Sequence, residues 1–190
     1  AGEFDRAEEC LAKMQQRDLL PATVAFLEGL AAEGRGRTRE AIGHWQSAVS
    51  LGYGSPQVRV MLALAFSRLG DVQSAVGQLR TLVSNNPNYT EGRLMLAQIL
   101  AQVRDWPGVL EQARIIQQLE PDRRDAVLLE LQARIHLLAA GEESTGGGAP
   151  SWQRVEQRLE ALAAAGEDTA TIGLLQAQAA ILQERFGPAM

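Results

Sequence analysis

The sequence predicts an all-α chain built of antiparallel helix pairs, about ten helices and no strand. Three observations carry that expectation. Small and bulky apolar residues recur at a fixed step of 34, they fall at helical spacings of three and four within each step, and Gly, Asp, Asn and Pro stand where helices must start and stop. Ala7, Ala41, Ala75 and Val109 form the small column, and Gly2, Gly36, Gly70 and Arg104 a turn column. Leu11, Trp45, Leu79 and Ala113 form a bulky column, with Met14, Ala48, Leu82 and Ile116 three places later. Four columns that keep one period are hard to produce by chance.

The stretch from Arg68 to Pro87, RLGDVQSAVGQLRTLVSNNP, sets the phase. Gly70 can take positive φ and close the last turn of one helix, and Asp71 can cap the next. Val72, Ala75, Leu79 and Leu82 then share one helical face, and Asn85, Asn86 and Pro87 end it. Ala75 is small enough to let a neighbouring helix approach closely.

In chain order, residues 1–21 supply a single second-type helix carrying Phe4, Ala7, Leu11 and Met14. Residues 22–55, 56–89 and 90–123 each read as a helical hairpin. Beyond Ile116 the period resumes only if twelve extra residues separate the two helices of the next unit. With a step of 46, Trp106 maps to Trp152, Val109 to Val155, Ala113 to Leu159 and Ile116 to Leu162. The enlarged unit is then 124–169. Its first helix is expected to run to about Ala140, and an insertion over about 138–150 contains Gly141 to Pro150, GEESTGGGAP, which reads as a flexible loop. Residues 170–190 supply one last first-type helix ending near Phe186 and Gly187.

These residues resemble the tetratricopeptide repeat (TPR). Leu62, Ala63 and Phe66 match its first-helix pattern, as do Leu96, Ala97 and Leu100. Ala41 with Trp45, Ala75 with Leu79, and the terminal Pro87 and Pro121 match the second. Glu28 and Glu130 depart from the leucine column, so those first helices are expected to be looser or shifted by a residue. The resemblance covers nearly the whole chain. It implies a right-handed superhelical solenoid in which first helices line a concave groove and second helices form the outside. A lone hairpin cannot offset its ordering entropy, roughly 1 to 2 kcal/mol per residue for backbone alone, so neighbouring units must share a core.

Composition excludes several classes. A net charge of −5 leaves no basic stripe for a phosphate backbone, which argues against a nucleic-acid partner. No apolar run is long enough to span a membrane and no signal peptide is visible in this piece, so no membrane insertion is expected of the segment and its compartment stays open. One lysine, Lys13, beside seventeen arginines points to a GC-rich genome, and the larger protein is expected to be bacterial. The chain opens in mid-repeat, which favours a fragment of a larger protein; a second copy covering Phe4, Leu11 and Met14 is the alternative. Ile172, Leu175, Ala179 and Leu182 pose the same choice at the other end.

No enzymatic chemistry is expected. Cys10 is the lone cysteine, which rules out an internal disulfide and a thiolate cage. His44 and His136 lie in different units without a ligand at metal spacing, and both read as surface histidines. Gly146 to Gly148 follow no strand and carry no lysine, so they are not a nucleotide loop. Trp45, Trp106 and Trp152 fall in second-helix core columns. No metal and no cofactor is therefore expected.

The groove that the resemblance implies directs attention to the first helices. Phe26, Val60, Leu94 and Leu128 form one inward column, and Leu30, Leu64, Gln98 and Gln132 the next, one turn along. Arg68, Gln102 and His136 fall at the rim. Such a surface suits an amphipathic segment that offers apolar anchors and backbone groups to the amides, although the first column can also pack between adjacent helices. The basic and Asn residues with which some members of the family hold a peptide's terminal carboxylate are missing: Phe26, Leu30, Met61 and Gln98 stand there. Arg59 and Arg93, one repeat apart, are expected to pair between helices. The function expected is non-catalytic binding of a protein or peptide. The alternative is a self-assembling structural module, a homo-oligomer joined through its open ends or convex face.

Overall fold

The computed structural model describes residues 2–16, 20–141, 152–165 and 169–186. Ten α-helices and no strand occur among them: α1 (Gly2–Gln16), α2 (Pro21–Gly34), α3 (Thr38–Ser50), α4 (Pro56–Arg68), α5 (Val72–Asn85), α6 (Thr90–Gln102), α7 (Trp106–Leu119), α8 (Arg124–Ala139), α9 (Trp152–Ala164) and α10 (Thr169–Phe186). The chain divides into two compact units, 1–92 and 93–190.

The helix ends follow from the residues that the period places there. Gly36 and Gly70 have φ of 75° and 78°, and Arg104, at the same turn position, has φ of 60°. After each of these residues the next N–H reaches back to the carbonyl five residues earlier: Arg37 to Ala32, Asp71 to Phe66 and Asp105 to Leu100, all at 2.9 Å. This closes three first helices with one motif, a left-handed residue followed by a long back-bond. Two of the three second helices that follow begin on carboxylate caps, whereas α3 starts after Arg37 without a side-chain cap. Asp71 accepts from the Ser74 N–H at 3.1 Å and Asp105 from the Gly108 N–H at 3.0 Å. The bond to Ser74 also holds the Asp71 carboxyl below its usual range.

In the first unit α2 packs on α3, α4 on α5, α3 on α4 and α1 on α2. Its core joins Ala25, Ala32, Ala41, Ala48, Val58 and Leu62 around Trp45, which is 1% exposed. Gly29 makes room for that indole, because a Cβ there would lie 2.3 Å from Trp45 Nε1. In the second unit α7 packs on α8, while α10 packs on α8 and α9. Val127, Leu131, Ile135, Val155, Leu159 and Ile172 form its core.

The two acidic departures from the leucine column do not disturb their helices. Glu28 lies 3.1 Å from His44 Nδ1 across the α2–α3 hairpin. Glu130 accepts from Gln117 Nε2 at 2.8 Å, from α7, and from Arg134 Nε at 2.8 Å within α8. Each carboxylate turns outward to a polar link with the helix beside it, so no shift of register is needed. The expected inter-helix pairing of the arginines is made with amides: Arg59 donates to Gln78 at 3.0 Å and Arg93 to Gln112 at 2.9 Å.

Of the three tryptophans only Trp45 is fully enclosed. Trp152 is half-buried against the second core, and half-buried Trp106 stacks on His136 with ring centroids 3.9 Å apart and planes 3° apart. The side chain of Phe4 and the Gly-rich insertion after Gly141 lie outside the described residues.

Candidate functional site

First and second helices differ in how their apolar residues are spread. In α3, α5 and α7 one face is apolar, whereas α4, with PQVRVMLALAFSR, is apolar nearly all round. A helix with apolar residues left over after its core face is filled has something to offer a partner.

None of the eleven candidate side chains is buried. In the first unit Leu30 is 39% exposed, Val60 and Leu64 are half-buried, and Arg68 is exposed while ion-paired with Glu33. Phe26 has a double role. Its ring stacks on Tyr53 at 4.6 Å, it packs against the core around Trp45, and its carbonyl accepts from Trp45 Nε1 at 3.2 Å. In the second unit Gln98 and Gln102 are exposed, and Leu94, Gln132 and His136 are half-buried. Leu128 is half-buried against the core. The residues between these positions are the ones enclosed: Leu62 and Ala63 in α4, Leu96 and Ala97 in α6, Leu131 and Ala133 in α8, all at 3% exposure or less.

Two residues belong with the set but are absent from the sequence reading. Leu174, 72% exposed, and Gln178 on α10 fall one step of 46 beyond Leu128 and Gln132. The signal was present: the same step that phases Trp152 and Leu159 reaches them when it is applied to first helices.

Both histidines are half-buried. His44 sits between Glu28 at 3.1 Å and Glu40 at 3.9 Å. Among the described residues no cluster of three or more His, Cys, Asp or Glu could hold a metal ion, and no helix is long and apolar enough to cross a membrane. His136 lies at the side of an open cleft in the second unit, with its Nε2 2.8 Å from the Gln178 amide nitrogen. The amide can only donate there, so Nε2 accepts and the ring proton resides on Nδ1.

Burial, and secondarily the charge of Arg104, push the His136 pKa below its ordinary value. The unfolded chain therefore binds the proton first as pH falls. The stabilisation from a neutral His136 is complete above its unfolded pKa of about 6.5 and is lost below it. The urea midpoint is expected to fall between pH 8 and pH 5.5, and the fall should be smaller in His136→Gln. An equal fall in both proteins would remove His136 from the pH response.

Comparison with known proteins agrees with this geometry. Residues 60–108 match a family model described as tetratricopeptide repeat. No curated protein matches the chain. Among solved structures, YrrB, a TPR protein with an unusual peptide-binding site, superposes with a TM-score of 0.69 at 18% identity, over 92% of this chain and 84% of that one. MamA superposes with a TM-score of 0.62 at 15% identity, over 100% and 89%. The first TPR of Spaghetti (RPAP3), bound to the HSP90 peptide SRMEEVD, covers 62% of this chain and 94% of its own, with a TM-score of 0.54 at 19% identity. The helical step of 34 residues, the left-handed turns in phase and these matches lead to one conclusion: residues 60–108 match the tetratricopeptide repeat, and the chain has the fold of tetratricopeptide-repeat proteins.

Proposed function

We propose that the chain is a non-catalytic scaffold that binds a peptide or protein segment on the columns carried by its first helices. The observation that carries this reading is the alternation of burial along those helices. Leu62 and Ala63 are enclosed while Val60 and Leu64 keep exposed surface, and Leu96 and Ala97 are enclosed while Leu94 and Gln98 do. Apolar anchors beside amides suit a segment that offers side chains to the first and backbone groups to the second. Two of the similar folds, YrrB and the first TPR of Spaghetti, are described with a peptide-binding site or a bound peptide, which supports the same use here.

Affinity capture from the native lysate tests the proposal. A partner retained by the parent chain is expected to be lost with Val60→Asp plus Leu94→Asp, by tenfold or more in yield, as desolvating two carboxylates costs at least about 1.4 kcal/mol. Helical circular dichroism should stay unchanged. Capture that survives the pair would move the binding surface off these columns.

A further inference from the structure

Within the second unit a cleft of about 650 Å³ opens between the end of α8, the turn before α7 and the face of α10. Its apolar wall includes Leu174 at 72% exposure and Ile181 at 55%. Its polar end is formed by Arg104, His136 and Gln178. Among the described residues, Arg104 and His136 are the only titratable ones that line it, so the one full charge they bring is positive, in a chain whose net charge is −5.

Arg104 stands out by its backbone, and its charge is free to meet a ligand. It occupies the turn position where Gly36 and Gly70 stand in the preceding hairpins, and it adopts their left-handed conformation, with φ of 60°. A Cβ disfavours that conformation, so glycine is the residue the turn itself would select. The guanidinium makes no ion pair among the described residues, whereas Arg68 at the end of α4 pairs with Glu33. A strained position thus holds an unpaired cation at the mouth of an apolar cleft.

We propose that this cleft is a docking subsite for an acidic, apolar peptide segment, which places an apolar side chain against Leu174 and Ile181 and a neighbouring carboxylate on Arg104. The inference rests on the reading of the chain as a peptide-binding scaffold and specifies the chemistry of one stretch of its ligand. Charge complementarity selects the acidic partner, and the exposed leucine and isoleucine select the apolar one. His136 is positioned to respond. Its ring is faced by Trp106 from α7, by neutral Gln178 from α10 and by Arg104 from the turn. A carboxylate seated on Arg104 offsets the charge that helps hold the imidazole neutral, so occupancy raises the His136 pKa.

Methyl and imidazole NMR of the 190-residue chain tests this with two capped tripeptides, acetyl-Leu-Leu-Glu-amide and acetyl-Leu-Leu-Gln-amide. The Glu peptide is expected to shift the Leu174 and Ile181 methyls saturably and to raise the His136 pKa. The Gln peptide should bind about fivefold more weakly at low salt, as for a partly exposed charge pair, and leave that pKa in place. Arg104→Gly should abolish the discrimination between the two peptides while raising the melting temperature, because glycine relieves the turn. The proposal is overturned if wild type binds both peptides equally, if Arg104→Gly still discriminates, or if neither methyl shifts up to about 10 mM peptide, the weak limit of specific binding. A lower melting temperature for Arg104→Gly would equally overturn the strain argument. Neither Val60 nor Leu94 lines the cleft. A scaffold that captures nothing through its columns can therefore still pass this titration, and the converse also holds.

Discussion

Trp45→Ala is expected to lower the stability of the chain by about 3–5 kcal/mol, the largest effect of any single truncation in the first unit. Trp45 is 1% exposed and fills the space between α2 and α3 that Gly29 leaves open. Its neighbours Ala25, Ala32, Ala41 and Ala48 are already small, so they cannot reach inward to fill the hole. The void therefore persists, and its cost adds to the lost transfer energy. The indole N–H also donates to the Phe26 carbonyl at 3.2 Å, which ties the first-helix column to the core beneath it. Urea unfolding followed by circular dichroism measures the loss. A change below about 1 kcal/mol would mean that α2 and α3 close over the site, contrary to the close-packed geometry. Phe26 should also loosen from Tyr53, so the variant is expected to weaken partner capture at temperatures where the chain remains folded.

The parts of this fold legible in the sequence are those set by local chemistry repeated in phase. Gly70 and Asp71 mark a helix end and a helix start because a left-handed residue and a carboxylate cap act within a few positions of themselves, and the structure places both as the period requires. Ala41, Ala75 and Val109 are all 0% exposed, since a small residue repeated at one phase must face a neighbouring helix. Side chains that act across helices are less legible. Glu28 looks like a fault in a leucine column until His44 is found beside it, sixteen residues on. Trp106 shares a column with Trp152 and so reads as core, yet its ring is committed to His136, thirty residues away on α8. Arg104 reads only as a break in a glycine column; that its charge is unpaired and borders a cleft depends on α10, which the interrupted period separates from the earlier hairpins.

The repeated arginine–glutamine pair gives the second large effect, and it is a difference between two equal substitutions. Arg59 with Gln78 and Arg93 with Gln112 occupy identical positions one repeat apart, with donor–acceptor distances of 3.0 and 2.9 Å. Their surroundings differ. Arg93 is 9% exposed and Gln112 7%, whereas Arg59 and Gln78 are half-buried. Methionine replaces glutamine with similar volume and removes the amide, and with it the acceptor that the guanidinium uses. In the buried pair one guanidinium donor then loses a partner that water cannot replace, so Gln112→Met should cost about 2–3 kcal/mol. In the half-buried pair water can take the place of the amide, and Gln78→Met should cost below about 1 kcal/mol. Urea midpoints of the two variants decide the matter, and equal costs or a reversed order would show that burial does not set the strength of the pair. The bond has a consequence for binding as well. Arg59 and Arg93 directly precede Val60 and Leu94, so each glutamine fixes the rotation of a first helix about its own axis and with it the direction in which the proposed anchor points. Gln112→Met is accordingly expected to weaken partner capture more than Gln78→Met, although neither glutamine belongs to the proposed binding columns.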